Sequence, residues 1–210
     1  MSEDALPTST LPRWERLRMF SFWSFWIGVA FFGVYPTMNW ITSLRAARLH
    51  LYVPAELAIP FVPQFIWAYL SMYVLFFLPL VFVPTARMPP LGKQLIAGTL
   101  ISAAFFLLLP AELGFVRTVP EAAPYASLYA GIFGVDRPFN LVPSLHVIYS
   151  SAITLACADF ARPRARFGLL LWLVVIVAST LLVHQHHLLD VAAALAIVWY
   201  LHRRFEVIHD

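Results

Sequence analysis

The chain alternates between long apolar runs and short polar segments, a pattern typical of a protein that crosses a membrane several times. A helix needs about 20 apolar residues to cross a bilayer. Runs of roughly this length lie near 19–42, 62–84, 94–114 and 143–160. The last apolar run, 167–202, would form a single helix of about 54 Å, nearly twice the ~30 Å hydrocarbon core. The polar residues at 184–187 therefore predict two spans here, and the pattern as a whole predicts an all-α membrane bundle of six transmembrane helices.

Composition supports a membrane protein. Hydrophobic residues make up 61% of the 210-residue chain and charged residues 12%, with a mean hydropathy of +0.77. A soluble core of this composition would lack the polar surface needed to cover it. Glu3 and Asp4 precede any apolar run, which argues against a signal peptide. We expect a tail and interfacial anchor over 1–18, a membrane domain over 19–204 and a C-terminal tail over 205–210.

The distribution of basic residues predicts the orientation. Cytoplasmic loops of membrane proteins are enriched in Lys and Arg. In the predicted bundle, most of the basic residues lie on the same side of the membrane as the N-terminus. They are Arg13, Arg16, Arg18, Arg87, Lys93, Arg162, Arg164, Arg166, Arg203 and Arg204. The rule thus places both termini in the cytoplasm. It also explains the net charge of +3 without a nucleic acid partner. The 115–142 loop, the start of the fourth span and the 184–187 turn then share the outer face.

Three ionisable side chains at this face indicate chemistry, because such residues are rare at membrane depth and usually mark a site. His186 and Asp190 are four residues apart, so on a helix they share a face. A carboxylate bonded to one ring nitrogen fixes the tautomer and makes the other nitrogen a better nucleophile. His146 comes from another helix and could protonate a leaving oxygen on the opposite side. Arg117 and Arg137 are the nearby cations, and guanidinium groups match phosphate oxygens.

Two motifs carry a family resemblance. The residues P-S-L-H at 143–146 resemble the second signature motif of the type-2 phosphatidic acid phosphatase superfamily, usually P-S-G-H. Ser179, His186 and Asp190 match its third motif, S-x-x-x-x-x-x-H-x-x-x-D, in type and spacing. The superfamily includes lipid phosphate phosphatases, undecaprenyl pyrophosphate phosphatases, vanadium haloperoxidases, and inositol phosphorylceramide and sphingomyelin synthases. Its membrane members have six spans and an outward-facing site, so the resemblance implies the same topology here.

The resemblance also implies roles for individual residues. His186 would be the nucleophile, Asp190 the residue that orients it, and His146 the general acid. Ser144 and backbone amides near it would bind phosphate, together with Ser179 of the third motif. Arg117 best matches the arginine of the first motif, K-x-x-x-x-x-x-R-P.

The chain departs from the family pattern at three positions. Pro110 stands where the lysine of the first motif belongs, Thr118 replaces its proline, and Thr180 replaces the arginine of the third motif. Arg137 is a candidate replacement for the missing cations. It lies in the pattern D-x-P-F-N-x-x-P-S-L-H-V, which looks closer to the inositol phosphorylceramide synthase branch than to the P-S-G-H phosphatases.

Three other interpretations remain at this point. His184, His186 and His187 could bind a metal, although the acidic or cysteine ligands that usually complete such a site are lacking. A proton-coupled transporter could use a His/Asp relay, although no inverted repeat is visible. A haem- or metal-bearing subunit would need facing histidines on separate helices. We interpret His184 and His187 as local hydrogen-bonding residues, and Asp136 and Asn140 as residues that turn the chain before the fourth helix.

The sequence therefore predicts a multi-pass protein of the plasma (inner) membrane, with its active site outside the cytoplasm. We expect a lipid phosphate phosphatase or phosphotransferase that works through a phosphohistidine, without metal or other cofactor. Its partners would be a lipid phosphate or phospholipid in the bilayer and, for a transferase, a hydroxyl acceptor such as the one an inositol phosphorylceramide synthase uses. The lipid, the acceptor and the oligomeric state are left open.

Overall fold

The computed structural model describes residues 12–206, which fold as helices joined by irregular loops. The α-helices are α1 (Arg13–Ser43), α2 (Ile66–Leu70), α3 (Met72–Leu75), α4 (Pro79–Phe82), α5 (Met88–Leu108), α6 (Tyr125–Val135), α7 (Leu145–Ala158), α8 (Pro163–Leu182) and α9 (Leu188–Glu206). Short 3₁₀ helices cover Pro54–Ala58, Pro63–Phe65 and Thr85–Arg87. This range contains no strand, and its isolated bridge joins Leu49 to Ala111. The all-α prediction is confirmed for this part of the chain.

The centre of the molecule is α7, which is buried along almost its whole length. It contacts α5, α8 and α9 as well as the short helices α3 and α4. α1 packs mainly against α5 and buries few of its own residues. The two helices approach closely at Gly92 of α5, where a Cβ atom would collide with the ring of Trp23. The bundle thus surrounds α7, and α1 lies at its edge.

Three helical segments are long and apolar enough to cross a membrane: Arg13–Ser43, Thr85–Leu108 and Pro163–Leu182. They correspond to the first, third and fifth predicted spans. The third span was predicted to reach residue 114, but α5 ends at Leu108. Pro110 explains the difference, because the residue before a proline avoids the helical region. Beyond it the chain runs beside the loop after α1, where the N–H of Leu49 donates to the carbonyl of Pro110 at 2.7 Å.

The second apolar run is not one helix, as the sequence predicted for 62–84, but the three short helices α2, α3 and α4. Hydrogen bonds of the 3₁₀ type join them, such as the one from the N–H of Val74 to the carbonyl of Ser71 at 3.0 Å.

Arg16 of α1 lies where the interfacial anchor was predicted. Its guanidinium donates to the carbonyls of Leu80 at 2.8 Å and Val83 at 2.9 Å, so it satisfies backbone acceptors at the end of this segment. The remainder of the predicted N-terminal tail, residues 1–11, lies outside the described residues, as does 207–210 of the C-terminal tail.

The last apolar run breaks where the polar residues predicted a turn. His184 has a positive φ of 55°, a left-handed conformation that is uncommon outside glycine. The N–H of Gln185 donates to the Thr180 carbonyl at 3.0 Å and that of His184 to the Leu181 carbonyl at 3.0 Å. This is the Schellman pattern that ends many helices. It ends α8, and α9 begins six residues later at Leu188.

Candidate active site

His186 and Asp190 are in contact, as predicted, but they do not share a helix face, because His186 lies in the turn before α9 begins at Leu188. The Nδ1 atom of His186 lies 3.1 Å from Oδ2 of Asp190. A carboxylate accepts hydrogen bonds, so Nδ1 carries the proton in this arrangement. Oδ2 also accepts the backbone N–H of His187 at 2.8 Å. Asp190 therefore has two roles. It orients the His186 ring, and it caps α9 by accepting the N–H of His187, the residue before the helix, as the acidic residue of a capping box does.

The second histidine of the site, His146, lies at the start of α7. Its Nε2 atom is 2.9 Å from the backbone carbonyl of Tyr69 in α2, and its ring stacks on that of Tyr69 at a centroid distance of 3.9 Å. Since a carbonyl only accepts, Nε2 carries a proton and Nδ1 is the nitrogen left for a ligand. His146 and His186 are each 8% exposed and close enough to interact electrostatically. The structure brings the two histidines to one small buried region.

A backbone contact joins the two motifs. The N–H of Ser144 donates to the backbone carbonyl of Asp190 at 3.1 Å. Ser144 is fully buried and caps α7, its Oγ accepting the N–H of Val147 at 3.3 Å. The start of α7 is therefore fixed to the start of α9, and the relative position of His146 and His186 follows from it. A helix start with free N–H groups also favours an anion.

Arg117 extends from the loop after α5 to the same region. One guanidinium nitrogen donates to the backbone carbonyl of Asp136, and the other donates to Oε1 of Gln185 at 3.2 Å. The carboxylate of Asp136 lies 3.9 Å from it, and the Phe133 ring lies below it, with 4.8 Å between Cζ and the ring centroid. Its Nε atom is buried and has no hydrogen-bond partner in the part of the chain that the structure describes. The side chain is thus held in place with one donor still unused.

Asp136 supports Arg117 and does more than turn the chain. Its Oδ1 accepts the hydroxyl of Tyr35 from α1. Burial raises the pKa of Asp136, and the hydrogen bond from Tyr35 and the charge of Arg117 oppose this increase. Burial likewise lowers the pKa of Arg117, against the effect of Asp136. Each charge therefore lowers the cost of burying the other. Sequence analysis did not identify this pair, because no helical or strand periodicity relates residues 19 positions apart in a segment predicted to be a loop.

Glu56 is a site residue that the sequence did not single out. It lies in the 3₁₀ helix Pro54–Ala58 and is 4% exposed. Its Oε2 atom accepts the N–H of Leu188 at 2.8 Å and lies 3.2 Å from Nδ1 of His187. Its Oε1 atom accepts the N–H of Val53 at 3.1 Å. The local bond was foreseeable, because Pro at the first and Glu at the third position of a helix are start signals. The contact with His187, across more than a hundred residues, was not.

His187 links Glu56 to the loop after α5. Its Nδ1 donates to Glu56, and its Nε2 accepts the N–H of Gly114 at 3.1 Å. Such a ring is neutral, in agreement with burial lowering the pKa of His187 against the opposing charges of Asp190 and Glu56. Its backbone N–H is the group that Asp190 accepts. Glu56, His187 and Gly114 therefore fix the segment that carries His186.

Two predicted phosphate-binding residues, Arg137 and Ser179, hydrogen-bond to other groups of the protein. Arg137 is exposed and donates to Oγ of Ser43 at the end of α1, at 2.9 Å. Ser179 is buried in α8 and donates its hydroxyl to the carbonyl of Ile176 at 2.6 Å. Neither residue hydrogen-bonds to His146, His186 or Arg117 in the described part of the chain. Arg117, by contrast, hydrogen-bonds to Gln185, the residue before His186.

His184 and His187 are hydrogen-bonding residues, as predicted, but their partners are distant in the chain and not local. Nε2 of His184 donates to the carbonyl of Ile59 at 2.9 Å, and its ring stacks on Phe115 at 4.0 Å. Phe115 also stacks on His187 at 4.5 Å. Among residues 12–206 no group of three or more His, Cys, Asp or Glu side chains is arranged to hold a metal ion. The three histidines of the turn thus contact different partners.

Comparisons of this chain with protein-family models, with curated proteins and with solved structures gave no match.

Glu56→Gln tests the network around His187. The change should lower the free energy of unfolding by about 2–3 kcal/mol at pH 7, because it removes a buried charged acceptor of several hydrogen bonds. Hydrogen bonds to the carboxylate hold the pKa of Glu56 below its ordinary value, against the effect of burial. The stabilisation is therefore present at neutral pH and is lost as the pH falls below the ordinary glutamate pKa of 4.5 and through the lowered pKa of Glu56. Thermal unfolding in detergent across this range would measure it.

The matched control is Glu121→Gln, which changes an exposed glutamate. It should unfold like the unchanged protein at every pH. A difference between the unchanged protein and Glu56→Gln that stays constant down to pH 3 would contradict the role of the ionised carboxylate.

Proposed function

We propose that this protein is an integral membrane lipid phosphate phosphatase or phosphotransferase that works through a phosphohistidine, without a metal ion. The observation that carries the proposal is the hydrogen bond of His186 to the buried Asp190 carboxylate. Arg117 binds Gln185, the residue before His186, and His146 is buried close enough to His186 to interact electrostatically. The motifs P-S-L-H and S-x-x-x-x-x-x-H-x-x-x-D, similar to those of the type-2 phosphatidic acid phosphatase superfamily, agree with it.

His186 has one nitrogen available for attack. Asp190 accepts the proton of Nδ1 in a hydrogen bond, so the lone pair lies on Nε2. Attack of Nε2 on phosphorus forms an N–P bond and breaks the bond from phosphorus to the leaving oxygen. The positive charge that develops on the ring is stabilised by the adjacent carboxylate, as in a catalytic triad.

His146 would protonate the leaving oxygen. Its Nε2 proton is held by the Tyr69 carbonyl, so transfer would come from Nδ1 of the imidazolium form. A bound phosphate anion favours that form, because an opposite charge at short range stabilises a cation. In the second half-reaction neutral His146 accepts a proton from water or from a hydroxyl substrate. The oxygen then attacks phosphorus, the N–P bond breaks, and both histidines return to their starting states.

Arg117 would bind the equatorial phosphate oxygens. Its Nε donor is buried without a partner, and a bound oxyanion would supply the missing acceptor. The transition state for phosphoryl transfer spreads negative charge over these oxygens, so a positioned guanidinium stabilises it. Asp136 and Gln185 hold the guanidinium so that little reorganisation is required on binding.

The membrane topology is part of the proposal. Three helices are long and apolar enough to span a bilayer, and we propose that α2–α4, α7 and α9 complete six spans with both termini in the cytoplasm. The distribution of Lys and Arg supports this orientation. The site would then face outside the cytoplasm, in the plasma (inner) membrane, where lipid phosphates of the outer leaflet can reach it.

The first experiment separates a hydrolase from a transferase. Purified protein would be incubated with lipid phosphates and phospholipids, alone or with inositol, glycerol or ceramide as acceptor. We expect free phosphate or a transferred headgroup from at least one lipid, and loss of turnover by at least about 10³-fold in His186→Ala, because the nucleophile is absent. His50→Ala, at an exposed histidine, is the control. Turnover that survives in His186→Ala, or no turnover of any lipid, would overturn the proposal.

Arg117→Lys tests the phosphate clamp. Lysine keeps the charge but loses the planar fork and the Nε donor, so the two groups are not equivalent at such a site. We expect kcat/KM to fall by about 10–100-fold, corresponding to the loss of one or two charge-assisted hydrogen bonds. Steady-state kinetics on the best lipid of the panel would measure this. Unchanged kinetics would show that Arg117 does not bind the phosphate.

A further inference from the structure

A groove opens between α8 and α9 in the half of the bundle away from His186. Both helices pack against α7, but they do not pack extensively against each other. The gap has a volume of about 330 Å³ and is lined largely by apolar side chains, among them Leu155, Leu173, Leu195 and Val198. Its floor is α7, and its sides are α8 and α9.

The groove is separate from the candidate active site. At about 1.5 Å per residue, Leu195 lies about 10 Å along α9 from Leu188, and Arg203 lies about 22 Å from it. The candidate catalytic residues are all close to the first turn of α9. A ligand in the groove would therefore not contact His186.

Two polar groups distinguish this groove from an ordinary gap between helices. Ser151 of α7 lines it, and its buried Oγ has no hydrogen-bond partner among the described residues. Arg203 lies at its far end, with Cζ 4.4 Å above the Trp199 ring. Both Arg203 and Trp199 are exposed, so a fixed cation and an aromatic ring stand at the mouth.

The surrounding surface carries positive charge. Exposed arginines cluster at this end of the bundle, on the first turn of α8 and the last turn of α9: Arg162, Arg164, Arg166, Arg203 and Arg204. The nearby acid Asp159 lies 3.6 Å from His202. Basic pockets between membrane helices are known to bind anionic headgroups.

We infer that the groove binds one anionic phospholipid of the bilayer. An acyl chain would lie on the apolar walls between α8 and α9, and the headgroup phosphate would contact Arg203. The apolar walls and the positive mouth together select such a lipid over a soluble anion, which would leave the walls in contact with water, and over a zwitterionic lipid, which lacks the net charge. The site rests on α8 being a membrane span and does not depend on the proposed catalytic function.

Trp199 allows a direct test, because bromine atoms on an acyl chain quench tryptophan fluorescence at contact distance. The protein would be placed in phosphatidylcholine vesicles that contain a small fraction of brominated phosphatidylglycerol or, separately, brominated phosphatidylcholine. The signal of Trp199 is the difference between the unchanged protein and Trp199→Phe. We expect the anionic lipid to quench this signal at about fivefold lower mole fraction than the zwitterionic lipid, an effect of the size expected for one arginine near a lipid phosphate.

Arg203→Gln should abolish the preference for the anionic lipid. Arg204→Gln removes the same charge from the neighbouring residue, which does not line the groove, and should largely retain the preference. Circular dichroism would confirm that both variants fold. Equal quenching by the two brominated lipids, or an equal loss of preference in the two variants, would overturn the inference and leave only general attraction between the arginines and the membrane.

Discussion

The candidate site depends on the hydrogen bonds that Asp190 accepts. One oxygen accepts both Nδ1–H of His186 and the backbone N–H of His187, while the backbone carbonyl of the same residue accepts the N–H of Ser144. The residue therefore sets the tautomer of the proposed nucleophile, begins α9 and attaches α9 to α7. Such a buried charge is tolerated because it is paired with hydrogen-bond donors. Without Asp190, the hydrogen bonds that fix the positions of His146 and His186 relative to each other would be lost.

Further contacts, from three other segments of the chain, fix the residues around His186. Glu56 fixes His187 from the loop after α1, and Gly114 contacts it from the loop after α5. Asp136 fixes Arg117 from the segment before α7 and is itself held by Tyr35 of α1. Preorganised groups of this kind lower the cost of reorganisation during a reaction. The loops between the helices thus do more than connect them, since they determine where the reacting groups lie.

The sequence predicted those features that depend on local pattern. Hydropathy identified the runs that contain α1, α5, α7, α8 and α9, but it missed α6, which lies in the segment predicted to be a loop. The polar residues at 184–187 indicated the break between α8 and α9. Spacing predicted the contact between His186 and Asp190, although His186 precedes α9 and the two residues do not share a helix face. The division of the second run into α2–α4 was missed, because composition distinguishes poorly between one apolar helix and several short ones. Glu56, Asp136 and the position of Arg137 could not be foreseen, because their contacts join segments far apart in the chain, and no periodicity encodes such pairs.

The most direct test of the proposed chemistry is to trap the phosphorylated enzyme. Protein would be mixed with a lipid phosphate labelled at phosphorus, stopped rapidly in alkali, in which phosphohistidine survives, and mapped by mass spectrometry. The account predicts a phosphoryl group on His186 that forms and decays within the turnover time and is absent from His186→Ala. Turnover without a label on His186, or a label on another residue such as His146, would contradict it.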